Sequence, residues 1–143
     1  MQSSSDAGGI GLSDLIAGVN RRLDLAVEAQ IKTSGVRIEQ YRLLESLARR
    51  DGQSMGELAP FVFVDLPTLT KIVDRMVAGA LVYRAPDARD RRRVLVFLST
   101  KGRRHLEELR PVVEGERRSV IEGLSAAETD QLSGLLREIL QSD

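Results

Sequence analysis

Residues 65–102 read DLPTLTKIVDRMVAGALVYRAPDARDRRRVLVFLSTKG, and they predict a helix that is followed at once by a β-hairpin. Asp65 stands where an N-cap is expected, and apolar residues then recur at steps of three and four, the period of a helix with one buried face. Beyond this helix the period changes to two in segments 81–84 and 94–98, which are rich in β-branched and aromatic residues. The polar run 85–93 between them predicts a long charged loop at the tip of the hairpin.

The helix after Asp65 is predicted to bury one face and to expose the other. Its apolar stripe consists of Leu66, Leu69, Ile72, Val73 and Met76. The opposite face carries a proline, two hydroxyls and charged groups, namely Pro67, Thr68, Thr70, Lys71, Asp74 and Arg75. Hydroxyls and cations on one helix face are suited to contact the base edges and phosphates of DNA.

Charge is unevenly distributed along the chain. Residues 71–104 contain ten basic and three acidic side chains, whereas the rest of the chain contains 11 basic and 18 acidic ones. The net charge of zero for the whole chain therefore conceals a strongly basic segment on an otherwise acidic protein. This pattern is typical of a protein whose partner is a polyanion.

Upstream of Asp65, apolar periodicity predicts three more helices. The first covers residues 12–33 and the second residues 38–48. The third begins with a capping box, in which the Ser54 hydroxyl and the Glu57 carboxylate satisfy backbone donors. Pro60 predicts that this short helix is kinked or ends early.

Downstream of the hairpin, two further helices are predicted. Thr100 is predicted to cap the fifth helix, in which Pro111 predicts a kink, and Ser125 with Glu128 forms a second capping box before the last helix. The order of four helices, a hairpin and two helices indicates a mainly α (α+β) fold. Because no internal repeat or linker interrupts it, residues 1–143 are predicted to form a single domain.

The composition narrows the possible functions. The chain has no cysteine and one histidine, His105, which excludes disulfides, thiol catalysis and cysteine-ligated zinc. No nucleophile–base pair, metal cluster or phosphate loop is evident, so we expect no enzyme activity, no metal and no cofactor. No apolar run is long enough to span a bilayer and no secretion signal is evident, so we expect a cytoplasmic protein. Residues 1–11 are predicted to be a flexible arm.

Two short helices that are joined by a tight turn and followed by a hairpin describe a winged helix-turn-helix. The predicted DNA contacts on the second helix of the pair are Pro67, Thr68, Thr70, Lys71 and Arg75. On the hairpin, Arg89, Arg91, Arg92 and Arg93 are suited to enter a narrow, electronegative minor groove, and Arg89, Arg91 and Arg92 are the predicted DNA contacts. Asp90 is predicted to hold Arg92 or Arg89 in a fixed fork orientation.

The same residues resemble a known family. PTLTKIVDRMVAGALVYR and DARDRRRVLVFLSTKGR resemble the recognition helix, the wing and the following helix start of the MarR family, and RIEQYRLLESLAR resembles its second helix. The family usually has a glycine in the turn at the position of Ala80. In this chain, Gly79 is predicted to be the turn glycine instead. The resemblance implies a transcriptional regulator that binds an inverted-repeat operator on double-stranded DNA as a homodimer, with repression relieved by a small ligand.

The flanking helices, residues 12–33 and 101–141, carry more apolar residues than the winged helix of residues 36–100 needs, so we expect them to form the dimer interface. Regulators similar to this chain often bind aromatic carboxylates or phenolic compounds between these two parts. Arg22, Arg37 and Tyr41 are the candidate ligand contacts, although Tyr41 on an apolar helix face is also a candidate core residue. Constitutive repression without a ligand is the alternative.

Two other interpretations compete with DNA binding. The arginine cluster could be a solvated surface, or the winged helix could recognise an acidic protein. Salt-dependent binding to any duplex, together with preference for one palindrome, would separate DNA binding from both.

Overall fold

A computed structural model of the chain describes residues 9–142. Residues 1–8 of the predicted N-terminal arm, and Asp143, lie outside the described residues. The helices of the described part are α1 (Leu12–Ile31), α2 (Ile38–Arg49), α3 (Met55–Val62), α4 (Leu66–Ala78), α5 (Thr100–Ile121) and α6 (Ala126–Gln141). The strands are β1 (Val82–Pro86) and β2 (Val94–Leu98), and a single turn of 3₁₀ helix, Lys32–Ser34, follows α1. The predicted element order is confirmed.

The two strands form an antiparallel hairpin in which Val82 lies opposite Leu98 and Pro86 lies opposite Val94. Since pairing extends to Pro86, the loop at the tip covers residues 87–93 and is shorter than predicted. The Asp87 N–H donates to the Arg93 carbonyl at 2.8 Å and closes this loop. We call β1, β2 and residues 87–93 the wing.

The other edge of β2 pairs with a residue that sequence periodicity did not assign to the sheet. Gln53 forms an isolated antiparallel bridge with Val96 through two backbone hydrogen bonds of 2.7 and 3.1 Å. Its buried side-chain amide also donates to the Ser46 carbonyl at 2.9 Å and to the Arg50 carbonyl at 2.7 Å. Gln53 thereby attaches the wing to the end of α2.

The hydrophobic core lies mainly between α2, α3, α4 and the hairpin, with α1 and α5 packed beside it. Its most deeply buried members include Ile31, Tyr41, Leu43, Leu44, Leu47, Leu58, Val62, Leu69, Val73, Met76, Leu106 and Val113. The predicted stripe of α4 is confirmed at Leu69, Val73 and Met76. It is wrong at Leu66, which is 52% exposed because it is the first residue of the helix and lies beyond the neighbours that cover the next turn.

Three of the four predicted helix caps are confirmed. Ser54, Asp65 and Ser125 each accept a hydrogen bond from the backbone N–H three residues later. The predicted Thr100 cap is wrong, because Ser99 is the N-cap of α5 and its hydroxyl accepts from the Gly102 N–H at 2.9 Å. Helix α3 continues two residues beyond Pro60, so the predicted early end is also wrong.

The turn between α4 and β1 differs from the prediction for Gly79. Gly79 has a φ of −83°, whereas Ala80 has a φ of 60° and takes the left-handed conformation itself. A residue with a Cβ is strained there by about 1–2 kcal/mol. The strain is held by the surrounding contacts, because the Ala80 N–H donates to the Val77 carbonyl and the Ser99 hydroxyl donates to the Ala80 carbonyl.

The start of α5 packs directly on the beginning of the hairpin. A Cβ at Gly102 would lie 2.0 Å from the Leu81 carbonyl oxygen, so only glycine allows this approach. The Ser99 hydroxyl also lies 2.8 Å from the same oxygen. These contacts explain why serine and glycine occupy the LSTKG segment at this spacing.

The terminal helices bury much less of their apolar surface. Helix α1 packs against α5 but buries only Val27 and Ile31, and α6 contains no buried residue. The exposed apolar side chains of these two helices are Leu12, Leu15, Ile16, Val19, Leu25, Leu132, Leu135, Leu136, Ile139 and Leu140. None of the helices in the described part of the chain combines the length and apolar character needed to cross a membrane.

Candidate nucleic-acid interface

One face of α4 is exposed and polar. Pro67, Thr68, Thr70, Lys71 and Arg75 are all exposed, as the helical period predicted. The Thr70 hydroxyl donates to the Leu66 carbonyl at 3.0 Å, which leaves its oxygen available as an acceptor. Lys71 and Arg75 form no ion pair with any residue that the structure describes.

Asp65 sets the geometry of the first turn of α4. Its carboxylate accepts the Thr68 N–H at 2.8 Å, and hydrogen bonding by Thr68 lowers the pKa of the Asp65 carboxyl below its ordinary value. The carboxylate therefore stays ionised and satisfies a backbone donor at the positive end of the helix. Pro67, whose φ is already helical, follows in the same turn.

The tip of the wing is shaped by two aspartates that bind backbone N–H groups. Asp87 accepts from the Arg89 N–H at 3.0 Å, and Asp90 accepts from the Arg92 N–H at 3.1 Å. Of the two predicted partners of Asp90, the structure selects Arg92, whose Nε lies 3.3 Å from the carboxylate. This contact uses a single nitrogen, not the predicted fork, and the Arg92 side chain remains 93% exposed.

Several cations of the basic segment are engaged within the protein, which the sequence did not reveal. Arg84 of β1 pairs with Asp74 of α4 at 2.6 Å, and so fixes the wing against α4. Lys101 donates to the Gly79 carbonyl at 2.9 Å at the end of α4. By contrast, Arg89 and Arg91 have no ion-pair partner between residues 9 and 142.

Arg93 is held at the base of the loop. It pairs with Glu57 of α3, which also pairs with Arg50, and its Nη1 lies 3.8 Å from Asp87. Hydrogen bonding by Ser54, together with the charges of Arg93 and Arg50, lowers the pKa of the Glu57 carboxyl. The sequence signal for this contact was the capping box itself, which placed a carboxylate at the start of α3 without showing its partner.

The three candidate ligand residues do not come together. Arg37 lines an open cleft of about 520 Å³ between the end of α1 and the start of α2. Arg22 lies exposed on α1 and does not line this cleft. Tyr41 is fully buried in the core, and the guanidinium of Arg117 lies 5.6 Å from the centre of its ring.

Tyr41 has the environment of a core residue. Its hydroxyl has no hydrogen-bond partner among residues 9–142, and burial raises the pKa of the phenol to about 12. Arg117, which lies over the ring, also pairs with Glu45 at 3.2 Å. Among the described residues, no group of three or more acidic, histidine or cysteine side chains is arranged to hold a metal ion.

The helix pair α3–α4, the attached wing and the exposed cations define a winged helix-turn-helix protein. A model of the MarR family matches residues 34–93. The multiple antibiotic resistance protein MarR of Escherichia coli (strain K12) is 31% identical over 143 residues, which covers 98% of this chain and 99% of that protein. The chain belongs to the MarR family.

Solved structures agree with this assignment. A mutant MarR from Escherichia coli complexed with operator DNA has a TM-score of 0.80 and 30% identity, and the match covers 90% of this chain and 93% of that one. The structure of Bordetella bronchiseptica BpsR describes the regulation of its DNA binding by 6-hydroxynicotinic acid. It has a TM-score of 0.84 and 26% identity to this chain, and the match covers 100% of this chain and 99% of the BpsR chain.

Proposed function

We propose that this protein is a transcriptional repressor that binds an inverted-repeat operator as a homodimer and is released from DNA by a small ligand. The observation that carries the proposal is an exposed polar face on α4 beside a wing that pairs with α4 through Arg84 and Asp74. At the tip of this wing, Arg89 and Arg91 are exposed and form no ion pair with the described residues. An α-helix fits the major groove, and arginines on a wing fit the adjacent narrow minor groove. The similar MarR structure with operator DNA supports this arrangement.

The two elements have different proposed tasks. On α4, the proposed contacts to base edges and nearby phosphates are Pro67, Thr68, Thr70, Lys71 and Arg75. On the wing, Arg89, Arg91 and Arg92 are the proposed contacts to the backbone or minor groove, and Asp90 orients Arg92. Arg93 is excluded from this set because it is bound by Glu57.

We propose that residues 36–100 form the DNA-binding lobe and that residues 12–33 and 101–141 form the dimer interface. The exposed apolar side chains of α1 and α6 support this division, because a second copy of the chain would bury them. A two-fold dimer brings two α4 helices to successive major grooves, so half-sites are expected about 10–10.5 base pairs apart, or a multiple of that.

We propose the cleft beside Arg37 as the effector site. Lys32 and Arg37 supply cations that can bind a carboxylate, and Glu28 and Glu39 supply carboxylates that can accept a phenolic hydroxyl. The apolar wall consists of Leu25, Ile31 and Val36, so the cleft suits a small aromatic carboxylate or phenol. The regulation of BpsR by 6-hydroxynicotinic acid is consistent with a ligand of this class. Arg22 and Tyr41 are not part of this proposed site.

The relatives of this chain are transcriptional regulators, and we propose that the chain itself has no enzymatic activity and needs no cofactor. A protein that occupies operator DNA has to reach the chromosome, so we also propose a cytoplasmic location.

Selection of duplexes from a random-sequence pool, followed by footprinting and titration at several salt concentrations, tests the proposal. We expect an enriched inverted repeat that is protected on one face, with affinity that falls steeply as salt rises. Binding to all duplexes with equal affinity would contradict a sequence-specific repressor. Absence of any DNA binding, with capture of an acidic protein, would instead favour protein recognition by the wing.

A further inference from the structure

Arg42 connects three segments of the chain that are distant in sequence. Its Nη2 donates to the Asp24 carboxylate of α1 at 2.5 Å. Its guanidinium lies over the ring of Phe63, 5.2 Å from the ring centre. The Arg42 side chain is only 14% exposed and that of Asp24 is 26% exposed, so the ion pair is largely shielded from water. The DNA-binding role proposed above uses none of these three residues.

Phe63 occupies the turn that leads into the recognition helix α4. It ends α3 in the left-handed conformation, with φ 62° and ψ 40°, which is unfavourable for a residue with a bulky side chain. Phe63 as a whole residue is 74% exposed, so burial in the core does not hold its ring in place. Two residues later Asp65 caps α4, so Phe63 lies immediately before the first turn of α4, whereas the later turns are held in the core by Leu69, Val73 and Met76.

We propose that Arg42 is a positioning residue that couples helix α1 to the start of the recognition helix. Asp24 holds the guanidinium in place, and the guanidinium holds the ring of Phe63 by a cation–π contact. If Asp24 moves or loses its charge, the shielded guanidinium loses its partner and turns towards solvent, and Phe63 is released. The left-handed turn then relaxes, and the first turn of α4 is no longer held in one arrangement.

The position of Asp24 suggests that this coupling could transmit ligand binding to the recognition helix. The next residue, Leu25, and Glu28 one turn further along α1 both line the cleft beside Arg37. A ligand in that cleft would therefore act on Asp24 through the adjoining residues of α1, and a shift of α1 in the dimer would move Asp24 with the helix. This regulatory role rests on the proposed function, whereas the coupling of α1 to the turn does not depend on DNA binding.

The chain contains a matched control for Arg42. Arg49, on the same helix, lies over the ring of Phe61 at 5.5 Å from the ring centre. Arg49 is exposed and forms no ion pair with the residues described by the structure, so its contact lacks a link to α1. Arg49→Met removes a contact of the same kind from the same pair of helices, and its effects should stay local.

The first measurement uses the full chain without DNA. In Asp24→Asn, which keeps the shape of the side chain and removes its charge, we expect the backbone amide resonances of residues 64–68 to shift. In Arg49→Met we expect those resonances to remain in place. Unchanged amides in Asp24→Asn, or equal shifts in both variants, would overturn the proposal whether or not the protein binds DNA.

The second measurement compares affinity for the selected operator with affinity for a random duplex. For Asp24→Asn and Phe63→Leu we expect operator affinity to fall by about three- to thirty-fold, the range typical of residues that couple two sites, with random-duplex affinity changed less than about two-fold. Because both variants interrupt one connection, the double variant should be no weaker than the weaker single one. Additive losses, or an equal loss in Arg49→Met, would contradict the coupling. If no operator can be selected, the proposed function fails, and the amide measurement still decides the coupling.

Discussion

The winged-helix lobe and the terminal helices of this chain differ in how they bury apolar side chains. Helices α2, α3 and α4 each contribute fully buried residues to one core, and the hairpin adds Val82, Val96 and Leu98 to it. Helix α6 buries nothing within the described chain, although it carries five exposed leucine and isoleucine side chains. The apolar side chains of the lobe are therefore covered within one chain, whereas most of the apolar face of α1 and α6 stays exposed, and we propose that a second copy covers it.

Removal of α6 should give the largest effect. For a chain that ends after Leu124, we expect a monomer that retains a folded lobe, since α6 contributes no buried residue to the core. Operator affinity should fall by at least about 100-fold, because two linked half-site contacts become one. Sedimentation and titration against the operator would measure both changes, and a tight dimer that persists without α6 would show that the interface lies elsewhere.

Two glycines within α5 allow the lobe and the terminal region to be compared directly. Gly102→Ala should lower the free energy of unfolding by about 3 kcal/mol, because its Cβ would overlap the Leu81 carbonyl oxygen. Gly115→Ala, with no atom within 4 Å of the new Cβ, should raise it by about 0.5–1 kcal/mol through helix propensity. Urea unfolding would measure both values. Destabilisation by Gly115→Ala would indicate that the partner chain packs against this position.

Within the lobe, α4 and the wing should differ in the kind of binding energy they supply. Lys71→Ala should cost about 1–3 kcal/mol on the operator and little on random DNA if Lys71 touches a base edge. Arg91→Ala should weaken binding to both duplexes by similar factors and reduce the salt slope by about one unit. Titrations of both variants at several salt concentrations would test this. An Arg91 variant with unchanged affinity and salt slope would mean that the arginine cluster is only a solvated surface.

The smallest effect is expected at Tyr41, between the lobe and α5. Tyr41→Phe should raise the free energy of unfolding by about 1 kcal/mol at neutral pH, because it removes a buried hydroxyl that none of the described residues binds. The pKa of this phenol is raised from 10.0 to about 12 in the folded chain. Above pH 10 the unfolded chain therefore releases this proton more readily than the folded chain, so the folded state loses stability as the pH rises from 10 through about 12.

The Tyr41→Phe variant should lack the part of the loss of folding stability at alkaline pH that is due to this phenol. Denaturant unfolding of both proteins between pH 8 and pH 12 would reveal the difference. If Tyr41 instead binds the effector, the variant should lose ligand affinity without any gain in stability.

Much of the fold could be predicted because its signals are local. The caps at Ser54, Asp65 and Ser125 act on backbone groups three residues away, so their spacing is visible in the sequence. The change from a helical period to a period of two likewise located the hairpin. The predictions for Leu66, Gly79 and Thr100 were wrong because each depends on packing with residues that are distant in sequence. For Leu66 packing decides whether the helix end is buried, for Gly79 it decides which residue adopts a positive φ, and for Thr100 it decides which of two adjacent residues caps the helix.

The sequence by itself determined the order of elements, the polar face of α4 and the uneven distribution of charge, because period, capping and charge are properties of neighbouring residues. Only the tertiary structure decided which cations are engaged. Arg84 is bound by Asp74, Arg93 is bound by Glu57 and Arg42 is bound by Asp24, while Arg91 forms no ion pair with the described residues. An ion pair depends on the distance between two side chains in space, and for residues on different elements that distance is fixed by how the elements pack, not by their separation along the chain.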